Sequence, residues 1–285
     1  MIKVNRDSVS VLIGIVTHNH RRLIPACLDS IARRRDRHIK VEVVVVDNCS
    51  NDGSADLVRQ RYPWVQLIRQ NKRCSFAENN NLAFAGGSSQ YFLMLNPDTE
   101  LQPDSVSVLV DFMEARPSCG VCGPKLVFPD GSLQFSCRRF PTAWSTLLRR
   151  TAIRLVVPAE KRGTRHLMAS EPHGRDMEVD WMLGACLLIR REAIPGQKVL
   201  DDGFPLYCED IDLCLRVRMG GWKVYYVPRT TVVHHHMARS DSKLFCRESF
   251  LHARSMLHFI KKHYLVASRN SALYPGVTNI KRTAA

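Results

Sequence analysis

The sequence predicts an α/β fold in which a mostly parallel central sheet carries helices on both faces. Strand-like apolar runs alternate with helix-like segments as far as Leu95, the pattern of a parallel sheet with crossover helices. Clusters of Asn, Asp, Gly and Ser follow those runs, where turns and helix caps belong. At 285 residues the chain is also long enough to enclose one large core.

Val9–Val16 is the first strand. It is interrupted by Ser10 and ends without a small-residue cleavage site, so it reads as core and not as a signal peptide. Leu23, Cys27, Leu28 and Ile31 recur at helical spacing. Val41–Val46 is a β-branched strand, and Asp47 to Ser54 is a turn cluster that caps a helix carrying Leu57, Val58 and Tyr62. Val65–Ile68 is a short strand, Phe76–Ala85 a helix and Tyr91–Leu95 a strand. Val121–Phe128 and Ser132–Cys137 flank Pro129-Asp130-Gly131 as a hairpin. From about Arg149 to Arg175 the chain is basic and weakly periodic, and a loop is expected. Order returns over Val179–Arg190, in a helix from Glu209, a strand Lys223–Val227 and a basic final helix, Ser242–Tyr264. The expected division is residues 1–240 as one domain, with residues 241–285 forming that helix and a loosely ordered tail.

A net charge of +14 points to polyanionic partners. Ten cysteines without framework spacing suit reduced thiols. No stretch approaches the about 18 apolar residues that span a bilayer. The expected location is the cytoplasm.

Chemistry-bearing residues gather after the strands. Asp98 follows Tyr91–Leu95 and sits at a strand's carboxyl end, where open α/β sheets bind ligands. Glu209-Asp210 opens a helix, and His234-His235-His236 follows a later strand. The carboxylate of Asp98 with an imidazole from His234 or His236 suits Mn²⁺ or Mg²⁺. Such a cation absorbs charge on a diphosphate leaving group. Asp210, at a helix start, is the candidate acceptor for the proton of an attacking hydroxyl.

Each signal also has a bland reading. Asn96-Pro97-Asp98 is a common turn sequence, Glu209-Asp210 an ordinary acidic helix start, and the histidines a polar edge. Cys119 and Cys122 have redox spacing but no second pair. Arg33-Arg34-Arg35 reads as a solvated helix end. A dinucleotide-binding oxidoreductase lacks its Gly-x-Gly-x-x-Gly, having only Gly14. A nucleic-acid-binding module lacks any zinc-finger or recognition-helix pattern, and no nucleic acid is expected as a partner. An inactive nucleotide-binding protein of the same fold is countered by the presence of Asp98, Asp210 and His234 together.

Jointly, several motifs resemble one family. They are Val16-Thr17-His18-Asn19, Val45 to Ser54, Ser75 to Asn81, Leu95 to Thr99, Trp181 to Ala185, Tyr207 to Leu213, Gly221 to Val224, Val227-Pro228 and Val233-His234. In this order, from about Val9 to Ser240, the chain resembles the family 2 inverting glycosyltransferases of GT-A fold, especially the bacterial rhamnosyltransferase-like branch. The resemblance implies that Thr17, Asn19 and Asp47 line a nucleoside pocket that Asn81 helps to close. It implies donor contacts at Asn96, Gly184, Ala185 and Glu209, metal contacts at Asp98 and His234, and Asp210 as general base. The implied reaction moves a sugar from a pyrimidine-diphosphate donor to a glycan or lipid-linked acceptor. A dTDP-rhamnose-like donor comes first and a UDP-sugar second. Asn96 replaces the first acid of the family's D-x-D, Ser75 replaces a glycine, and Asp202 to Tyr207 departs from the usual pattern before the acidic pair. The basic final helix and Lys161–Arg165 suggest peripheral contact with an anionic membrane at the cytoplasmic leaflet; the alternative is a helix that packs its apolar face on the core.

Overall fold

The computed structural model describes residues 9–35, 38–140, 168–235 and 247–265. The basic stretch Lys161–Arg165, most of the expected loop around it, His236 and the tail after Val266 lie outside those residues.

Strands β1 (Ser10–Thr17), β2 (Lys40–Asp47), β3 (Gln66–Arg69) and β4 (Tyr91–Leu95) run parallel in the order β3-β2-β1-β4. β1, β4 and the latter half of β2 are almost continuously apolar because both faces of this sheet are covered. The α-helices among the described residues are α1 (Ile24–Ala32), α2 (Ser54–Arg61), α3 (Phe76–Ala85), α4 (Ser105–Glu114), α5 (Glu209–Met219) and α6 (Arg247–Ile260), the last continued by a π-helical turn over Lys261–Leu265. Val11, Ile13 and Ile15 of β1 pack with residues of α1, α2 and α4. Leu12, one step along the pleat, packs with residues of α3, α5 and α6 on the other face. Gly14 lets that second face close, since a Cβ there would lie 2.5 Å from the Phe92 ring.

Beyond β4 the sheet becomes mixed. Its remaining long strands are β6 (Cys119–Val127), β11 (Cys186–Arg190) and β12 (Lys223–His234). β11 pairs antiparallel with both β4 and β6, β12 runs parallel to β6, and β5 (Thr99–Leu101) closes the edge against β12. β7 (Leu133–Gln134) folds back on β6 through the expected hairpin, whose Gly131 takes φ 81°. β8 (Cys137–Arg138) pairs with β10 (Trp181–Met182), and β9 (Met177–Glu178) with β12. Cys119 and Cys122 are buried inside β6, as expected of a strand.

Two elements differ from expectation. β12 continues seven residues past Val227 to His234: Pro228 cannot donate to the ladder, and a register shift between Val227 and Thr231 absorbs it. α4 has no counterpart in the sequence reading, because Ser105-Val-Ser-Val-Leu-Val alternates with period two while its buried Val106, Leu109, Val110 and Met113 repeat as a helix. The final helix is described from Arg247 on, and its expected start at Ser242 lies outside the described residues. Ser75, in place of the family glycine, caps α3: its Oγ accepts from Glu78 N at 3.1 Å while Glu78 Oε2 accepts from Ser75 N at 2.7 Å.

The final helix is fastened to the core. Ser255, Phe259 and His263 are buried, and Asp212 of α5 accepts from Arg216 Nε, Lys262 Nζ and His263 Nε2, each at 2.7 Å. Packing of this inner face is the alternative named for the helix.

Candidate active site

The ends of β1 and β2 form the first part of the site. Thr17 and Asp47 are register partners, so both lie at the carboxyl edge of the parallel strands. Asn19 adopts φ 58° and staples the two following loops: its N–H donates to Ser50 Oγ, and its Oδ1 accepts from Asn51 N, both at 2.9 Å. Asp47 Oδ2 accepts from Ser50 N at 3.1 Å, whereas Oδ1 is buried with no hydrogen-bond partner. Leaving a buried acceptor unmatched costs ~1–3 kcal/mol. Among the described residues, nothing supplies Asp47 Oδ1 with a donor.

Asn48, His18, Ser50 and Arg73 complete this end, and the sequence reading gave none of them a role. Asn48 clamps Cys74 through its backbone N–H and C=O, both at 2.9 Å. His18 Nε2 receives Arg73 Nη1 at 2.6 Å and Asn19 Nδ2 at 3.2 Å, which leaves Nδ1–H to donate to Asn48 O at 2.8 Å. Asn48 and Ser50 stood inside a quoted motif; Arg73 carried no signal. Asn81, expected to close the pocket, has its amide engaged elsewhere. It exchanges two 2.9 Å bonds with the Leu200 backbone and reaches Asp202 Oδ1 at 2.6 Å. Whatever it contributes acts through the 199–203 loop.

A connected run of bonds forms the other end. Asn96 N donates to Ala185 O at 2.8 Å, and Gly184 N donates to Asp210 Oδ2 at 3.2 Å. Asp210 Oδ1 accepts from Ile211 N at 2.9 Å. At Gly184 a Cβ would sit 3.2 Å from Met94 Cε and in ordinary contact with Asp210, 3.5 Å from its Cβ and 3.9 Å from Oδ2. Asp98 follows Asn96 and meets β12: His234 pairs with Thr99, His235 N donates to Asp98 O at 2.9 Å, and His234 Nε2 lies 3.4 Å from Asp98 Oδ1. His235 turns away to Glu100 Oε1 at 2.6 Å. The structure thus joins Asp210, Gly184, Ala185, Asn96, Asp98 and His234, drawn from four separate segments.

Electrostatics divide these carboxylates. Burial pushes Asp98 up, but the hydrogen bond and charge of His234 outweigh it and hold the carboxyl below its ordinary value. Burial raises Asp210 to about 6 against the N–H donors of Gly184 and Ile211. Burial, with Asp210 beside it, raises Glu209 to about 8. Just before this pair, Tyr207 and Cys208 both take left-handed backbone, φ 64° and 72°. Such strain costs ~1–3 kcal/mol per residue and collects at functional sites. Ser255 of α6 holds the turn, donating to Leu206 O at 2.7 Å and accepting from Leu206 N at 3.3 Å.

Asp98 and His234 fit a divalent cation at an open site. With Nδ1–H given to Gln134 Oε1 at 2.7 Å, Nε2 of His234 points at Asp98 Oδ1, and a cation bound between the two would take the place of the Nε2 proton. Among the described residues no group of three or more His, Cys, Asp or Glu is placed to hold a metal. The remaining positions would fall to substrate oxygens.

Residues 12–173 match the family model for glycosyl transferase family 2. The N-acetylglucosaminyl-diphospho-decaprenol L-rhamnosyltransferase of Mycobacterium tuberculosis is 31% identical over 208 residues, covering 68% of this chain and 66% of that protein. Rhamnosyltransferase WbbL of Escherichia coli K12 is 27% identical over 271 residues, covering 91% and 96%. Among solved structures, GalNAc-T7 with UDP, GalNAc and Mn²⁺ superposes with TM-score 0.58 at 16% identity over 79% of this chain and 44% of that one. The mannosyltransferase PcManGT of Pyrobaculum calidifontis, with GDP-Man and Mn²⁺, gives 0.54 at 20% identity over 87% and 69%. The chain therefore spans just under two thirds of the mycobacterial relative and less than half of GalNAc-T7. The two structures share the GT-A architecture with it. On the family match, reinforced by a site assembled where such a sheet binds ligands, the chain belongs to glycosyl transferase family 2 and within it resembles the rhamnosyltransferases.

Proposed function

We propose that the protein transfers a sugar, with inversion, from a pyrimidine-diphosphate donor to a hydroxyl of a glycan or lipid-linked glycan. The observation that carries this reading is the run of bonds linking Asp210 through Gly184, Ala185 and Asn96 to the Asp98–His234 pair. It links the candidate base to the candidate diphosphate-binding pair through the ends of β4 and β11. Asp210 takes the acceptor's proton as the acceptor oxygen bonds to the anomeric carbon and the bond to the diphosphate breaks. Gly184 N–H and Ile211 N–H fix the orientation of its carboxylate, and a value near 6 leaves it ionised at neutral pH yet basic enough to act. Asp98 and His234 would hold a divalent cation, which when bound neutralises charge on the departing diphosphate.

The unmatched Asp47 Oδ1 supports the choice of base. Uracil and thymine would present their imide N–H to such an acceptor, and cytosine its exocyclic amine instead. A dTDP-linked deoxysugar such as rhamnose is the first choice and a UDP-sugar the second, in keeping with the names of the mycobacterial and E. coli relatives. The decaprenol-linked substrate in the mycobacterial relative's name supports a lipid-linked acceptor.

A donor panel tests the reading. Calorimetry should give binding of dTDP and UDP well above CDP, and dTDP-rhamnose or a UDP-sugar should be turned over. Asp98→Ala should remove most turnover while the protein stays folded, as should excess chelator on the wild type. Binding of none of these nucleotides would overturn the reading; full activity of Asp98→Ala would overturn the metal assignment alone.

A further inference from the structure

We infer that the outward face of α6 is a docking surface for an anionic lipid bilayer. Phe250 and Leu257 are 70% and 67% exposed, far more than large apolar side chains elsewhere in the described core. Arg254 and Lys261 are exposed as well. Positions 250, 254, 257 and 261 are spaced four, three and four apart, so they share one side of the helical segment. No acidic residue occurs from Phe250 to Leu265. Two apolar wedges flanked by cations, with no carboxylate among them, match an interface of acyl chains below anionic headgroups. The charge of +14 adds long-range attraction of the same sign.

The opposite face of α6 is committed. Ser255, Phe259 and His263 are buried, and Lys262 is drawn into ion pairs with Asp201 and Asp212. Lys262 therefore leaves the outward set, and what remains is Arg254 and Lys261. The helix is too short and too charged to cross a membrane, so it would lie along the surface.

The inner side of α6 braces the turn that precedes Asp210. His252 packs its ring edgewise on Tyr207 at 5.2 Å between centroids, and Ser255 grips Leu206 through both backbone groups. Tyr207, itself 40% exposed, lies three residues before Asp210. Those contacts lie on the inner side of α6, so the helix, about 10 Å across with its side chains, stands between a bilayer on its outward face and this turn.

Flotation of the full chain with vesicles tests it. Binding is expected to vesicles of phosphatidylglycerol mixed with phosphatidylcholine, weakening as salt is raised, and not to phosphatidylcholine alone. Arg254→Glu/Lys261→Glu should weaken binding by about tenfold or more, and Phe250→Ser/Leu257→Ser by a similar factor. Both should keep wild-type melting temperature and dTDP binding. Absent wild-type binding, equal binding to both vesicle types, or undiminished binding by both folded variants would each overturn the proposal. So would a wild-type dimer, seen by sedimentation, that Phe250→Ser/Leu257→Ser dissociates without touching vesicle binding, since that assigns the face to a second copy. Vesicle binding intact with no dTDP binding would overturn the transferase reading and leave the docking surface standing.

Discussion

Asp210 and Asp212 stand two residues apart in the first turn of α5, and the fold treats them in opposite ways. Asp212 is fully buried against Arg216, Lys262 and His263. Burial pushes its carboxyl up, but the His263 hydrogen bond and the two cations outweigh it and drive it far below its ordinary value. Asp210 meets backbone N–H groups instead, and burial leaves it raised to about 6. Arg138 opposes this only as a minor influence. The difference separates stability from chemistry on a single helical turn. A carboxylate saturated with cations fastens α6 to α5 and has no basicity left; one met by neutral donors stays oriented and still binds a proton.

Replacing each acid with its amide sharpens the contrast. Asp210→Asn should lower kcat by about 10²–10⁴ while dTDP binding is retained, because general-base help is worth that much. Calorimetry showing lost nucleotide binding would reassign Asp210 to the donor site. Asp212→Asn should act on folding: breaking a buried ion cluster from one side costs ~3–5 kcal/mol, read as a lower melting temperature, with kcat per folded molecule close to wild type. A large kcat loss at unchanged stability would break the comparison.

The pH dependence of folding carries a smaller effect of opposite sign for the two residues. Asp212, depressed when folded, contributes stability that is present above 3.8 and is lost as pH falls through its folded value. Asp210, raised when folded, favours the protonated native state below 3.8, and that contribution fades as pH rises toward 6. Denaturant titrations should therefore show Asp212→Asn flattening the acid limb, and Asp210→Asn removing a decline between about pH 4 and 6.

Much of this site was legible because motif and strand end coincide. Alternation located β1, β2, β3 and β4, and Asp98, Gly184 and Asp210 stood in short motifs whose order along the chain is specific. The partners were not legible. Gln134, which orients His234, lies 100 residues away in sequence, and Ser255, which holds the Leu206 turn, lies 49 away. No local pattern announces such contacts. Neither does the left-handed backbone at Tyr207 and Cys208, where side-chain type predicts the reverse. Asn81 had the right neighbours in sequence, yet its amide closes on Leu200 across the fold. In β12, Pro228 argued for a strand end, and a register shift carried the ladder past it.

The most direct test of the account is the pH profile of kcat/KM for transfer, measured on wild type and Asp210→Asn. With Asp210 as the base, wild-type kcat/KM should rise about tenfold per unit below pH ~6 and level above it, and the residual activity of Asp210→Asn should lose that rise. A wild-type profile flat from about pH 5 to 8, or the same rise in Asp210→Asn, would contradict it.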